Sequence, residues 1–252
     1  MTFWQMAVVL LAGMAAGTIN TVVGSGTLIT FPTLLAFGVP PVTANVSNTI
    51  GLVPGVASGV VGYRRELVGQ RARAIRLGSA SLVGGVAGAL LLLVLPADAF
   101  AAIVPALIVV GLLLVVLQPR ISAWVNARHE GARGEFGPWW VWPAVLGTGV
   151  YGGYFGAAQG VILMGVLGIG IADGLQRLNA LKNVLAGLVN GVAGLIFALV
   201  ADVDWTVVAL IAVGSVIGGQ IGATVGRRLR PAVLRIVIVV VGLAALASFV
   251  LK

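Results

Sequence analysis

A group of polar residues within one apolar segment has the types and the spacing of an anion-binding site. Lys182 lies between Asn179 and Asn183, and Asn190 follows two helical turns later. Residues at these intervals share one face of an α-helix. An ammonium group beside amide donors offers an oxyanion charge-assisted hydrogen bonds in place of its water shell. The pattern therefore predicts a substrate site for a small anion, with Lys182 as its positive charge.

A second polar stripe, Asn45 and Asn48, occupies an earlier apolar segment. If the two segments face each other, these amides add donors around the same cation. Two other interpretations of Lys182 stay open: it snorkels to a membrane face, or it pairs with Asp173. Each asparagine can also serve only to bond a neighbouring helix.

Two short stretches with the composition of helix breaks stand between apolar segments. The first is Gly24-Ser25-Gly26-Thr27, in which glycines free the backbone and two hydroxyls can bind a substrate. A helix that starts there points its positive dipole end inward, which favours an anion. A simple loop is the alternative interpretation of this stretch.

The second stretch runs from Gly156 to Gly160 and carries one polar side chain, Gln159. We predict that both stretches interrupt helices inside the membrane. The break residues are then Gly24, Gly26, Gly156 and Gly160, while Ser25, Thr27 and Gln159 join the asparagines and Lys182 as substrate-binding residues.

The composition places these residues in a membrane protein. The chain is 60% hydrophobic and 9% charged, with a mean hydropathy of +1.12, whereas soluble domains carry about 25% charged residues. Runs without period-two alternation predict an all-α polytopic protein rather than a barrel. The net charge of +8 comes largely from loop arginines, so we predict no nucleic-acid partner. With no cysteine and one histidine, His129, we expect no metal and no cofactor.

Ten apolar segments can be delimited along the chain. The second segment of each five is too short to cross comfortably, so we expect eight full spans and two short, broken or re-entrant segments. The predicted segments are 3–23, 27–38, 42–63, 74–95, 99–117, 138–158, 160–172, 176–200, 205–226 and 231–251.

The two sets of five segments resemble each other. The pattern SxxGGxxGA begins at Ser81 and again at Ser215, 134 positions later. We therefore predict a first membrane repeat over 1–117, a cytoplasmic linker over 118–137 and a second repeat over 138–252. The small-residue faces suit either packing within the chain or a homodimer.

Loop charges predict that the second repeat is inverted. Five arginines follow the third segment, whereas the matching loop in the second half carries Asp202 and Asp204. Because cationic loops stay in the cytoplasm, both termini of this cell-membrane protein should be extracytoplasmic. Inverted repeats are common in secondary transporters, which bind substrate near the midplane at interrupted helices.

The order of these motifs resembles the TauE/SafE family of sulfite exporter-like permeases. The resemblance rests on Gly13-xxx-Gly17, on Gly24-Ser-Gly26-xxxxx-Pro32-x-Leu34 and on the stretch from Lys182-Asn183 to Phe197, and it covers nearly the whole chain. It implies secondary transport, as export or uptake, of small sulfur-containing or organic anions such as sulfite or sulfonates, and export is the direction that we expect. Such permeases are not enzymes.

Several mechanisms remain open from the sequence. Asp173 is the candidate for proton coupling, and uniport driven by the membrane potential is the alternative. An anion channel, or the membrane subunit of a larger complex, would also carry these features. A Ser25–Lys182 pair would be the only arrangement for an intramembrane protease, since nucleophilic chemistry needs a base beside the serine.

Overall fold

The computed structural model describes residues 1–127, 137–224 and 231–250, and within these ranges the chain is helical, with no β-strand. The described residues form ten helices: α1 (Phe3–Val22), α2 (Thr27–Ala36), α3 (Pro41–Gly62), α4 (Arg71–Val94), α5 (Ala97–Ala127), α6 (Val141–Tyr154), α7 (Gln159–Gly170), α8 (Leu175–Val200), α9 (Trp205–Thr224) and α10 (Pro231–Val250).

Each predicted segment corresponds to one helix, so the all-α fold class is confirmed. The largest difference is at α5, which continues to Ala127 instead of ending at residue 117. It does so through Pro119, a residue that membrane helices tolerate better than soluble ones. The first part of the predicted linker is therefore helical, while 128–136 and the arginines of 225–230 lie outside the described residues.

Five of the described helices are long and apolar enough to cross a membrane: α1, α4, α5 as far as Ile121, α8 and α9. Helix α3 has 22 residues but buries polar side chains such as Asn45, Ser47 and Asn48. Those residues lower the mean hydropathy of α3, so it is not among the helices that are apolar enough to cross a membrane, although it is long enough. Eight full spans remain a prediction.

Helix packing follows a repeated scheme. Helix α1 packs on α9 as α6 packs on α4, α3 packs on α9 as α8 packs on α4, and α2 packs on α10 as α7 packs on α5. Helices α3 and α8 also pack on each other. Replacing each helix of the first five by its counterpart in the second five converts one of these pairs into another.

Small residues of the SxxGGxxGA patterns lie where helix backbones touch. A Cβ on Gly88 of α4 would overlap the carbonyl oxygen of Val150 in α6, and a Cβ on Gly218 of α9 would overlap that of Met14 in α1. Close approach of this kind needs a residue without a side chain. Both patterns are thus used for packing within one chain, and a homodimer would need a different surface.

Candidate functional site

Both predicted breaks are interruptions between helices. Helix α1 ends at Val22 and α2 begins at Thr27, with Gly24 at φ +88° between them. Helix α6 ends at Tyr154 and α7 begins at Gln159, with Gly156 at φ +76°. Positive φ is accessible to glycine at little steric cost, so these glycines allow the chain to turn out of the first helix.

The two interruptions cross each other in the protein interior. The N–H of Gly160 donates a hydrogen bond of 2.9 Å to the carbonyl oxygen of Gly24. A Cβ on either glycine would overlap the Cα atom of the other. Both residues are buried, so the Gly24 stretch is not a surface loop. The crossing fixes the ends of four helices at one point.

Lys182 lies beside this crossing and is 1% exposed. Its ammonium donates to the carbonyl oxygens of Asn20, at 3.0 Å, and Thr21, at 3.5 Å, in the last turn of α1. That turn is the negative end of the α1 dipole, where a cation is stabilised. The side chain is therefore buried in the protein rather than snorkelling to a membrane face.

The neighbouring asparagines on α8 reach the same helix end. The side-chain nitrogens of Asn179 and Asn183 donate to the carbonyl oxygen of Thr21 at 3.1 and 3.4 Å. Three polar side chains of one α8 face thus satisfy carbonyls that the end of α1 leaves without helical partners.

Asp173 does not pair with Lys182. In the connection between α7 and α8, its carboxylate binds Arg73 at 2.7 Å and Arg177 at 2.9 Å. Burial alone would raise the pKa of Asp173, but the hydrogen bonds from Arg73 and the Gly174 N–H, together with the charges of Arg177 and Arg73, outweigh it and hold the pKa below its usual value. The structure thus places Asp173 in two ion pairs, and its role in proton coupling stays a prediction.

A small cavity lies between Lys182 and the crossing. Its volume of about 20 Å³ suffices for roughly one water molecule. Eight of the residues predicted from sequence line it: Gly24, Thr27, Gly156, Gln159, Gly160, Lys182, Asn183 and Asn190. Asn20, Val56 and Ala186 complete the lining.

The polar side chains around the cavity are amides and one hydroxyl, which can donate or accept hydrogen bonds, beside one lysine. No carboxylate lines it among the described residues. The side-chain nitrogen of Gln159 is buried and makes no hydrogen bond within the described chain. No group of three or more acidic, histidine or cysteine side chains occurs in the described ranges, so they offer no such metal site.

The remaining predicted residues do not line the cavity. Asn48 accepts a hydrogen bond from Thr30 and donates to Thr27 at 3.4 Å, which joins α3 to α2. Asn45 donates to the carbonyl oxygen of Tyr154 at 2.9 Å, at the end of α6. The N–H of Gly26 donates to the side chain of Asn20 at 2.7 Å. These contacts hold the broken helices in place.

The profile of the family described as "Sulfite exporter TauE/SafE" matches residues 9–249. The chain belongs to this family. One similar relative is the "Probable membrane transporter protein YfcA" of Escherichia coli K12, which is 27% identical over 86% of this chain and 79% of its own length. Another is the "Probable membrane transporter protein ORF9" of a Sinorhizobium species, which is 27% identical over 97% of this chain and 92% of its own length. A "Probable membrane transporter protein" of Haemophilus influenzae is 25% identical over 86% of this chain and 84% of its own length. No solved structure matches the chain.

Membership of the TauE/SafE family makes the chain a multi-pass membrane protein of a transporter family rather than an enzyme class. The Ser25–Lys182 pair considered for proteolysis is not joined by a hydrogen bond in the described chain. The Ser25 hydroxyl is buried and makes no hydrogen bond among the described residues, so it has no base in Lys182.

Sequence reasoning missed two residues that contact the predicted site residues of this TauE/SafE protein. Asn20 lines the cavity and binds Lys182 through its carbonyl. Its position one helical turn before Gly24 is the sequence feature that could have identified it. Arg73 was interpreted only as a topology-setting charge, although it is 7% exposed and holds Asp173. Arg73 and Asp173 are 100 positions apart in the sequence, so no local pattern could predict their pairing.

Proposed function

We propose that this TauE/SafE protein is a secondary transporter that exports small sulfur-containing or organic anions, such as sulfite or sulfonates. The observation that carries the proposal is the buried ammonium of Lys182 beside a cavity whose other polar groups are amides, a hydroxyl and backbone. The family description and the names of the transporter relatives support membrane transport as the class of activity.

The charge of Lys182 favours an anionic substrate. A cation at the centre of a membrane helix costs about 2.5–3.5 kcal/mol on insertion scales. The carbonyls of Asn20 and Thr21 compensate part of that cost with partial charges. A bound anion would supply a full opposite charge, and Gln159 would supply a donor that has no partner among the described residues. Asn183, Asn190 and Thr27 line the same space.

The shape of the site favours a carrier over an open channel. Space for about one water molecule does not hold an anion with several oxygens. Substrate entry therefore requires α8 and the crossing to separate, which is a conformational step of alternating access. Helix pairs of the first five recur as equivalent pairs in the second five, which supports two repeats that move against each other. The loop charges support inverted repeats with both termini outside.

The experiment is anion flux from proteoliposomes loaded with labelled sulfite or a small sulfonate. We expect efflux from vesicles containing the parent protein and at least a tenfold loss with Lys182→Met, which keeps the length of the side chain and removes its charge. Arg71→Met is the matched control, because it removes a cation from an exposed position at the start of α4. Equal flux in all three proteins would refute the assignment of the site.

A further inference from the structure

The ends of the two interrupted helices are built alike. In α1, the N–H groups of Val23 and Gly24 both donate to the carbonyl of Ile19. In α6, the N–H groups of Phe155 and Gly156 both donate to the carbonyl of Tyr151. Each helix therefore ends with the same turn, and each leaves carbonyl oxygens directed away from further helical partners.

One asparagine serves each of these ends in the same way. Helices α3 and α8 begin at Pro41 and Leu175, 134 positions apart, which is also the spacing of the two SxxGGxxGA patterns. By that spacing Asn45 corresponds to Asn179. Asn179 donates to a carbonyl in the last turn of α1, and Asn45 donates to a carbonyl in the last turn of α6.

The positive charge is present at only one of the two ends. The same spacing makes Asn48 the counterpart of Lys182, and Asn48 bonds to Thr27 and Thr30 of α2 instead of α6. Among the described residues, no lysine or arginine side chain donates to a carbonyl of α6, where Tyr154 receives Asn45. The negative end of the α6 dipole is thus without the cation that the α1 end has.

An asparagine oxygen without a partner lies at each end, on Asn45 and on Asn179, but only the α1 end has a lysine ammonium beside it. The side-chain oxygen of Asn45 is fully buried and makes no hydrogen bond within the described chain. It belongs to the same amide whose nitrogen is 2.9 Å from the carbonyl oxygen of Tyr154. A buried acceptor beside a helix C-terminus needs a donor or a cation. Because the described residues hold no group of three or more acidic, histidine or cysteine side chains, the arrangement suits a monovalent cation better than Ca²⁺ or Mg²⁺.

We propose that the end of α6 binds Na⁺ through the Tyr154 carbonyl and the side-chain oxygen of Asn45, in the place that the Lys182 ammonium has at the end of α1. Carbonyls at the ends of interrupted helices coordinate Na⁺ in other transporters. This inference rests on the proposed function and adds a regulator to it. A second positive charge near the cavity raises its affinity for an anion, and by linkage the anion raises the affinity for Na⁺ by the same factor.

The test is the unfolding temperature of the detergent-solubilised protein in NaCl against choline chloride, so that the anion stays constant. At a Na⁺ concentration about 100 times the dissociation constant, we expect Tm to rise by about 5–10 °C. Asn45→Ala should abolish the Na⁺ shift. Asn179→Ala, the same change at the equivalent position of the other half, should keep it.

A third variant separates cation binding from general stability. Asn48→Lys places a tethered ammonium at the position equivalent to Lys182, and it should make both Tm and anion affinity independent of Na⁺. An equal Tm in NaCl and choline chloride for the parent protein, or a Na⁺ shift that survives Asn45→Ala, would overturn the Na⁺ site.

The failure of this site can be distinguished from the failure of the proposed function. If sulfite or a sulfonate stabilises the parent protein and Lys182→Met removes that effect, but Na⁺ has none, the anion site stands and the Na⁺ site is wrong. If Na⁺ stabilises the protein through Asn45 while no anion binds or moves, the cation site stands and the proposed cargo is wrong.

Discussion

Gly160→Ala tests the crossing of the two interruptions on which the site is built. The substituted Cβ would overlap the Cα atom of Gly24 and would lie 2.9 Å from its carbonyl oxygen. Both neighbours are backbone atoms, so no flexible side chain can move away. The hydrogen bond from the Gly160 N–H to the Gly24 carbonyl, 2.9 Å long, would lengthen or break as the two segments separate.

The expected magnitude follows from three terms. Overpacking costs about 1–3 kcal/mol, and losing a neutral hydrogen bond costs about 0.5–1.5 kcal/mol. Alanine in place of glycine inside a helix stabilises the helix by roughly 1 kcal/mol. The net loss is about 2 kcal/mol, which lowers Tm by about 4–8 °C for a chain of this size.

Gly165→Ala is the control in the same helix, because its Cβ would meet only a side-chain carbon of Ile121 at 3.5 Å, an ordinary contact. Unfolding of both variants can be followed by the fluorescence of the six tryptophans. We expect Gly165→Ala to equal or exceed the parent Tm. If Gly160→Ala were as stable as Gly165→Ala, the close crossing, and with it the geometry of the cavity, would be wrong.

Two further predictions concern the charged connection and the topology. Asp173→Asn should lower stability at pH 7 by about 1.5–3 kcal/mol, the worth of hydrogen bonds to a charged group. Because folding lowers the pKa of Asp173, its stabilisation is present above the unfolded value of about 3.9 and is lost as pH falls through the folded value. The Tm difference between variant and parent should therefore disappear in strong acid, and a constant difference would contradict the ion pair. In a chain without native cysteine, Val68→Cys should react with an impermeant maleimide only from the cytoplasm and Asp202→Cys only from outside; labelling of both from one side would exclude the inverted topology.

The helices and the breaks could be predicted because both are local properties. Apolar length defines a membrane helix, and the glycines of 24–26 and 156–160 mark where it stops. The polar face of α8 was also local, since Asn179, Lys182 and Asn183 share it by helical spacing alone.

The partners of these residues could not be predicted, because they are distant in sequence or belong to the backbone. Lys182 binds two carbonyls of α1, and carbonyls leave no residue pattern. Arg73 and Asp173 come together only when α4 packs beside the connection between α7 and α8. The end of α5 was misjudged at Pro119, which normally stops a helix in a soluble protein.

The most direct test of the central claim is anion binding to the purified protein with and without the charge of Lys182. Tm would be measured against a concentration series of sulfite, a sulfonate and a small carboxylate for the parent, Lys182→Met and Arg71→Met. We predict that at least one anion raises the Tm of the parent and of Arg71→Met by several degrees and leaves Lys182→Met unchanged. An anion that stabilises Lys182→Met as strongly as the parent would show that the substrate binds elsewhere.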